Sequence, residues 1–310
     1  MLNIYRRNIG EGRWYVRCDL HVHTIHSGMS TMPLLKAFCR ECYTPPEALY
    51  ERLKRLGMDF VTVSDHDSIE AAEILRGHPD FFVSEEVTCL LPSGTEVHVG
   101  VYDISDRQHV EVQRRRTDWP RLVAYLREQR IFFSLNHAFS SLTGRRVLED
   151  FAEFEDVFPA VEVLNGHILA ANNLLARRLA CLTGKSMLGG SDAHTPQSLG
   201  TAFTEVVCAR NKAEFLDGLR CGLGVAKGES GGYGKLTLDA LRITGALLRE
   251  KSAAWFLLPF AATIPLMTLI NYGLERSFAL QWGSTRPVPQ GLESECPSTA
   301  VRAASGEASA

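Results

Sequence analysis

Residues 15–24 read YVRCDLHVHT, a short apolar run that ends in two histidines one residue apart. On an extended chain alternate side chains share a face, so His21 and His23 point the same way. The same layout recurs downstream. VTVSDHDS (61–68) delivers Asp65, His66 and Asp67 at the end of a second apolar run, and FFVSEEVT (81–88) delivers Glu85 and Glu86 after a third. TEVHVGVY (95–102) carries His98 within a strand, FFSLNHAF (132–139) carries His137 after one, and MLGGSDAHT (187–195) carries Asp192 and His194 after another. Strand candidates are 15–20, 60–63, 81–83, 97–102, 132–135, 161–164, 186–189 and 204–208.

Helical stretches separate many of these runs. In TPPEALYERLKRLG (44–57), Thr44 reads as the N-cap, Pro45 suits the first turn and Glu47 completes a capping box. Ala48, Leu49, Leu53 and Leu56 form one apolar face, and Gly57 ends the helix. Asp118 before WPRLVAYLREQR and Asn211 with Glu214 before FLDGLRCG repeat the start signal. Alternating strands and helices predict an α/β fold of parallel units, and seven or eight of them suggest a closed barrel. Barrel strands bring their C-terminal ends to one rim, where the histidines and carboxylates would converge. Imidazole with carboxylate suits zinc, manganese or iron.

Composition sets few further limits. With 45% hydrophobic and 22% charged residues, the 310-residue chain can bury a sizeable core, and a net charge of −3 gives no global pull toward nucleic acid. Arg6, Arg7, Arg13 and Arg17 interrupt the N-terminus before any long apolar run, so no secretory signal is read and the eight cysteines are expected to be reduced, in the cytoplasm. Cys39-Arg-Glu-Cys42 has zinc-type spacing but no second pair to complete four ligands.

The C-terminal part changes character. ESGGYG (229–234) reads as a break, and 229–252 as a linker with an amphipathic helix. Residues 253–274 hold no charged side chain and, as one helix, would be about 33 Å long, enough to cross a bilayer core. They are expected to form a transmembrane helix; a buried helix or hairpin broken at Pro259 and Pro265 is the alternative. Arg242, Arg249 and Lys251 ahead of this segment would leave the large domain in the cytoplasm, anchored to the inner face of the cell membrane. Residues 275–310 are expected to be a disordered tail.

The ordered set HVHT, SDHD, the glutamate of EEVT, NHA and SDAH resembles the PHP (polymerase and histidinol phosphatase) family over residues 15 to 228. The resemblance implies a distorted (β/α)7, TIM-like barrel spanning 1–228, with two or three divalent metal ions at its rim. It implies that His21, His23 and Asp192 hold one ion, that His98 and His137 hold a second, and that Glu86 bridges them. His66 and His194 would serve a third ion. The family's further ligand after the first motif is replaced here by Gly28 and Met29, with His26 nearby as a substitute.

The expected activity is hydrolysis of a small phosphomonoester or a nucleotide by a metal-activated water, with two ions about 3.5–4 Å apart. Asp65 or His194 would protonate the leaving alkoxide. Arg145 and Arg146 would clamp phosphate, and Asn165 would orient substrate or cap a turn. A phosphodiesterase or nuclease of the same family, and a non-catalytic membrane-tethered module, are the other readings.

Overall fold

The pleat of a single strand explains the layout. Among residues 96–102, Val97, Val99 and Val101 lie on one side in the core, while His98, Gly100 and Tyr102 take the other. The computed structural model describes residues 15–30, 38–251, 254–255 and 258–285. Its elements begin with β1 (Tyr15–Cys18), α1 (Pro46–Arg55), α2 (Glu70–Leu75), β2 (Ser84–Leu90) and β3 (Glu96–Tyr102). There follow α3 (Asp106–Arg115), α4 (Trp119–Glu128), β4 (Phe132–Leu135), a 3-10 turn at Ser141–Thr143, α5 (Asp150–Asp156), β5 (Ala160–Asn165) and α6 (Ala170–Thr183). The chain continues through β6 (Ser186–Gly190), β7 (Ala202–Val207), α7 (Lys212–Arg220), β8 (Gly224–Gly228), α8 (Tyr233–Glu250), α9 (Leu258–Ala261) and α10 (Ile264–Thr285).

The α/β class holds, but the ladders do not close a barrel. One sheet has the order β2-β3-β4-β5-β6 and a second the order β1-β7-β8. The pairs β2–β3 and β3–β4 are antiparallel, whereas β4–β5 and β5–β6 are parallel. The reason lies in the β2–β3 connection. Only a tight turn, with Gly94 at φ +81°, separates these strands, and a parallel pairing needs a long crossover. Segments 60–63 and 81–83 contribute the isolated bridge Val61–Phe81 rather than full strands, and the bridges His66–Glu86 and Val22–Ala193 tie further segments together.

Helix ends follow the local signals with one shift. Asp118 accepts from the Arg121 amide and Asn211 from the Glu214 amide, as capping residues do. At α1 the cap position falls on Pro45, one residue late, and Thr44 makes no capping bond. Helices α3 to α6 cover the outer face of the five-stranded sheet, where Leu122, Leu126, Phe133, Phe154, Phe158 and Val161 pack in the largest core cluster. Among the described residues, Cys18, Cys39, Cys42, Cys89, Cys208 and Cys221 are free thiols.

The expected membrane span finds no support. No helix among the described residues is long and apolar enough to cross a membrane. The apolar run is divided between α9 and α10, with Pro259 and Pro265 near the break, as prolines favour. Helix α10 then carries Glu275 and Arg276 and packs Glu275, Ala279 and Trp282 inward. The anchoring drawn from a membrane span therefore loses its basis. Residues 275–285, placed in a disordered tail, are helical, and 286–310 lie outside the described residues.

Phe158 is fully buried and its ring meets Trp119, Phe133 and Phe154. Phe158→Ala should lower the unfolding free energy by about 3–5 kcal/mol, measured by urea denaturation.

Candidate metal centre

Strand parity decides which glutamate enters the site. In the β2–β3 register Glu86 lies opposite Gly100 and Thr88 opposite His98, on the face away from the valine core. Glu85 therefore points elsewhere and accepts from the His109 ring at 2.9 Å and the Gln113 amide at 2.8 Å. Glu86 is fully buried among imidazoles. Its Oε2 stands 3.1 Å from His21 Nε2, and its Oε1 stands 3.0 Å from His137 Nε2. His66 Nδ1 and His98 Nδ1 stand 3.4 and 3.5 Å from the same carboxylate.

The donor atoms at His21 and His23 face one another. His21 Nδ1 donates to Glu162 Oε1 at 2.9 Å, which leaves a lone pair on Nε2. Ser27 Oγ lies 2.8 Å from His23 Nδ1 and can accept its proton, freeing the Nε2 lone pair there too. These two Nε2 atoms are 3.1 Å apart, and Asp192 Oδ1 stands 3.5 Å from the first and 3.2 Å from the second. Three acceptors converging in a buried space repel unless a cation sits among them. The donor set fits divalent metal ions. Three groups have one ligand atom per residue within 4.8 Å of the others: His21, His23 and Asp192; His21, Glu86 and His137; His23, His66 and Glu86. His98 lies beside the second group, its ring 5.0 Å from that of His137.

His66 and His194 meet a residue that the motifs did not reveal. The Glu41 carboxylate reaches both rings, at 3.4 Å from each Nε2. It comes from the Cys39–Cys42 segment, whose thiols take no part: Cys42 Sγ donates to the His23 carbonyl at 3.1 Å. Glu41 thus stands beside His66 and His194, whereas the sequence pointed to Gly28, Met29 and His26 for a partner. His26 instead faces Glu70 of α2, at 2.9 Å.

Charge is balanced here by protons when no cation is present. Burial opposes ionisation of Glu86 and Asp192, but the surrounding imidazoles outweigh it and hold both carboxyls well below their usual range. Burial likewise disfavours charged His98 and His194, yet Glu86 lifts His98 to about 10 and Glu41 lifts His194 to about 9. His23 goes the other way, pushed down to about 3 by burial and by its histidine neighbours.

Several expected roles are relocated. Asp65 is fully buried, and both its oxygens are taken at 2.6 Å by the Thr24 amide and hydroxyl, so it fixes the turn after His23. Asn165 is also fully buried: its amide donates to Glu162 and to Asp192 Oδ2, while its carbonyl caps the turn at His167 and Ile168. Arg146 spends its guanidinium on the Ala138 and Glu96 carbonyls and on Thr143, which leaves exposed Arg145 as the free member of the pair.

Glu162 and Asp19 went unnoticed in sequence. Glu162 binds the His21 ring and the His137 amide, and its signal was a charge inside the otherwise apolar strand AVEVLN. Asp19 accepts from the Ser191 and Gly200 amides, joining the HVHT and SDAH segments. The His167 ring lies 5.7 Å from that of His194.

An α/β fold carrying a buried histidine–carboxylate cluster defines the class. The PHP-associated family model (PHP_C) matches residues 170–223, which include α6, β6 and both Asp192 and His194. The solved structures include a two-domain protein from Bacteroides vulgatus containing a predicted PHP-like metal-dependent phosphoesterase. It is 18% identical, with a TM-score of 0.55, covering 71% of this chain and 66% of its own length. PsfC from Pseudomonas syringae is 15% identical, with a TM-score of 0.53, covering 74% of this chain and 98% of its own. No curated protein matches the chain in sequence. The resemblance read from the motifs is thus met in sequence by the PHP-associated model over 170–223, while the likeness to these solved structures is one of fold.

Gly190 lies against the centre, where an added Cβ would stand 2.3 Å from His21 Cβ. Gly190→Ala should displace His21 and weaken metal binding by about tenfold or more, read by manganese titration. Because His98 and His194 carry raised pKa values, metal entering at neutral pH must expel protons. Calorimetry in two buffers of different ionisation heat should show about one proton or more released per ion, with affinity rising as pH rises.

Proposed function

We propose that this chain is a metal-dependent phosphoesterase that hydrolyses a small phosphomonoester or a nucleotide. The observation carrying this reading is the convergence of the His21 and His23 Nε2 atoms on Asp192, with Glu86 shared by the neighbouring histidines. Divalent ions bound there supply a water acidified toward neutral pH and a clamp for phosphoryl oxygens. The protein's own residues do the rest. Glu162, Asn165 and Ser27 orient ligands and hold their tautomers.

With Asp65 covered, His194 is the remaining candidate to protonate the leaving alkoxide, its ring fixed by a 3.0 Å bond between Nδ1 and the Asp192 carbonyl. Arg145, exposed in the loop after His137, is the candidate phosphate clamp. Burial of the cluster favours a small substrate over duplex nucleic acid: His21, His23 and Glu86 are almost fully enclosed, and His66, His98, His137, Asp192 and His194 are open only along one edge each. The net charge of −3 points the same way.

With manganese present, p-nitrophenyl phosphate should be turned over faster than bis(p-nitrophenyl) phosphate, and chelation should abolish both. Asp192→Ala should lower the rate beyond the roughly 10–100-fold that accompanies loss of an outer-sphere partner. Preference for the diester would move the reading to a nuclease; turnover of neither, with metal demonstrably bound, would end it.

A further inference from the structure

Helix α10 looks separable in sequence, yet it places a buried anion against the loop that carries His137. Glu275 is 3% exposed. Its Oε1 accepts from the Ser141 amide at 2.7 Å and from the Ser141 and Ser140 hydroxyls at 2.5 and 3.2 Å. Its Oε2 accepts from Asn172 Nδ2 at 3.0 Å, and the same Asn172 group donates to the Phe139 carbonyl. Neutral donors make these hydrogen bonds, and the buried Arg146 guanidinium, beyond ion-pair distance, is the cation that feels the Glu275 charge. Burying a carboxylate on neutral donors is costly unless each bond is well made, so the arrangement ties helix and loop firmly together.

The loop needs such a tie. His137 adopts φ +28°, a strained conformation that non-glycine residues rarely take. It persists because its neighbours are pinned. Glu162 accepts from the His137 amide, the Ser140 amide donates to the His137 carbonyl, and Arg146 holds the Ala138 carbonyl. Residues 139–141 are then gripped by Glu275 and Asn172. The path from α10 runs through Ser140 to His137 and on to Glu86, 3.0 Å from its ring.

We propose that Glu275 is a positioning residue for His137, so that α10 belongs to the catalytic unit. Its influence falls on the group His21–Glu86–His137 and spares His21–His23–Asp192. This rests on the metal centre described above. Removing the carboxylate frees the loop to relax toward an ordinary backbone conformation, which carries the imidazole away from Glu86.

The full chain tests this through manganese titration and the manganese dependence of p-nitrophenyl phosphate turnover, with thermal unfolding recorded for every variant. Glu275→Ala should keep one tight ion and weaken the second by about tenfold or more. Glu275→Gln, which still accepts from the Ser141 amide, should restore most of that affinity. Ser141→Ala removes a donor from the opposite side and should shift the same ion in the same direction, should the alanine variant at Glu275 fail to fold. Folded Glu275 and Ser141 variants that bind both ions as the wild type does would overturn the proposal. A wild-type protein that binds no manganese would overturn the metal centre itself, and this inference with it.

Discussion

The Glu86 carboxylate is the constraint around which the centre is organised. A fully buried anion must have its charge answered nearby, and five imidazoles stand within 3.6 Å of it: those of His21, His23, His66, His98 and His137. Asn136 adds a 2.9 Å hydrogen bond to Oε1. These residues come from the HVHT and SDHD segments, from β3, and from the turn after β4. One carboxylate thus brings together segments separated by up to 116 residues of chain. The same crowding makes the centre receptive to cations, because repulsion among lone pairs and imidazolium protons is relieved when a metal replaces the protons.

Holding that cluster strains the backbone. Asp67, His137 and Asp192 all have positive φ, and each ends a run of extended chain at the centre. Compensation comes from residues that do not touch the central space directly. Asp67 accepts from the Thr88 amide of β2, Asp19 ties the segment before Asp192 to the first motif, and Glu162 with Asn165 fixes His21, His137 and Asp192. Glycines supply the close approaches. At Gly190 no side chain larger than hydrogen fits against His21.

Helix α10 shows how a one-dimensional reading goes astray. Hydropathy sees an uncharged run, and the outward face of α10 does leave Leu266, Met267, Leu269, Ile270 and Leu274 at least half exposed. The break near Pro259 and Pro265 and the inward Glu275 become meaningful only once α6 and the Ser140–Ser141 loop are seen beneath the helix. The barrel expectation failed in a similar way. Counting strand-like runs does not distinguish a hairpin from a crossover, and the short Leu91–Thr95 turn made β2 and β3 antiparallel.

By itself, the sequence determined the chemistry: which histidines and carboxylates end the apolar runs, in what order, and, through strand parity, that His21 and His23 share a side. Those are local properties, set by the two-residue period of an extended chain. Only the tertiary structure decided which further groups meet the cluster and the loops that carry it. Glu41 meets His66 and His194 across gaps of 25 and 153 residues, and Glu275 meets Ser141 across 134. Contacts at such separations depend on sheet order and on how helices dock, and no local pattern records them.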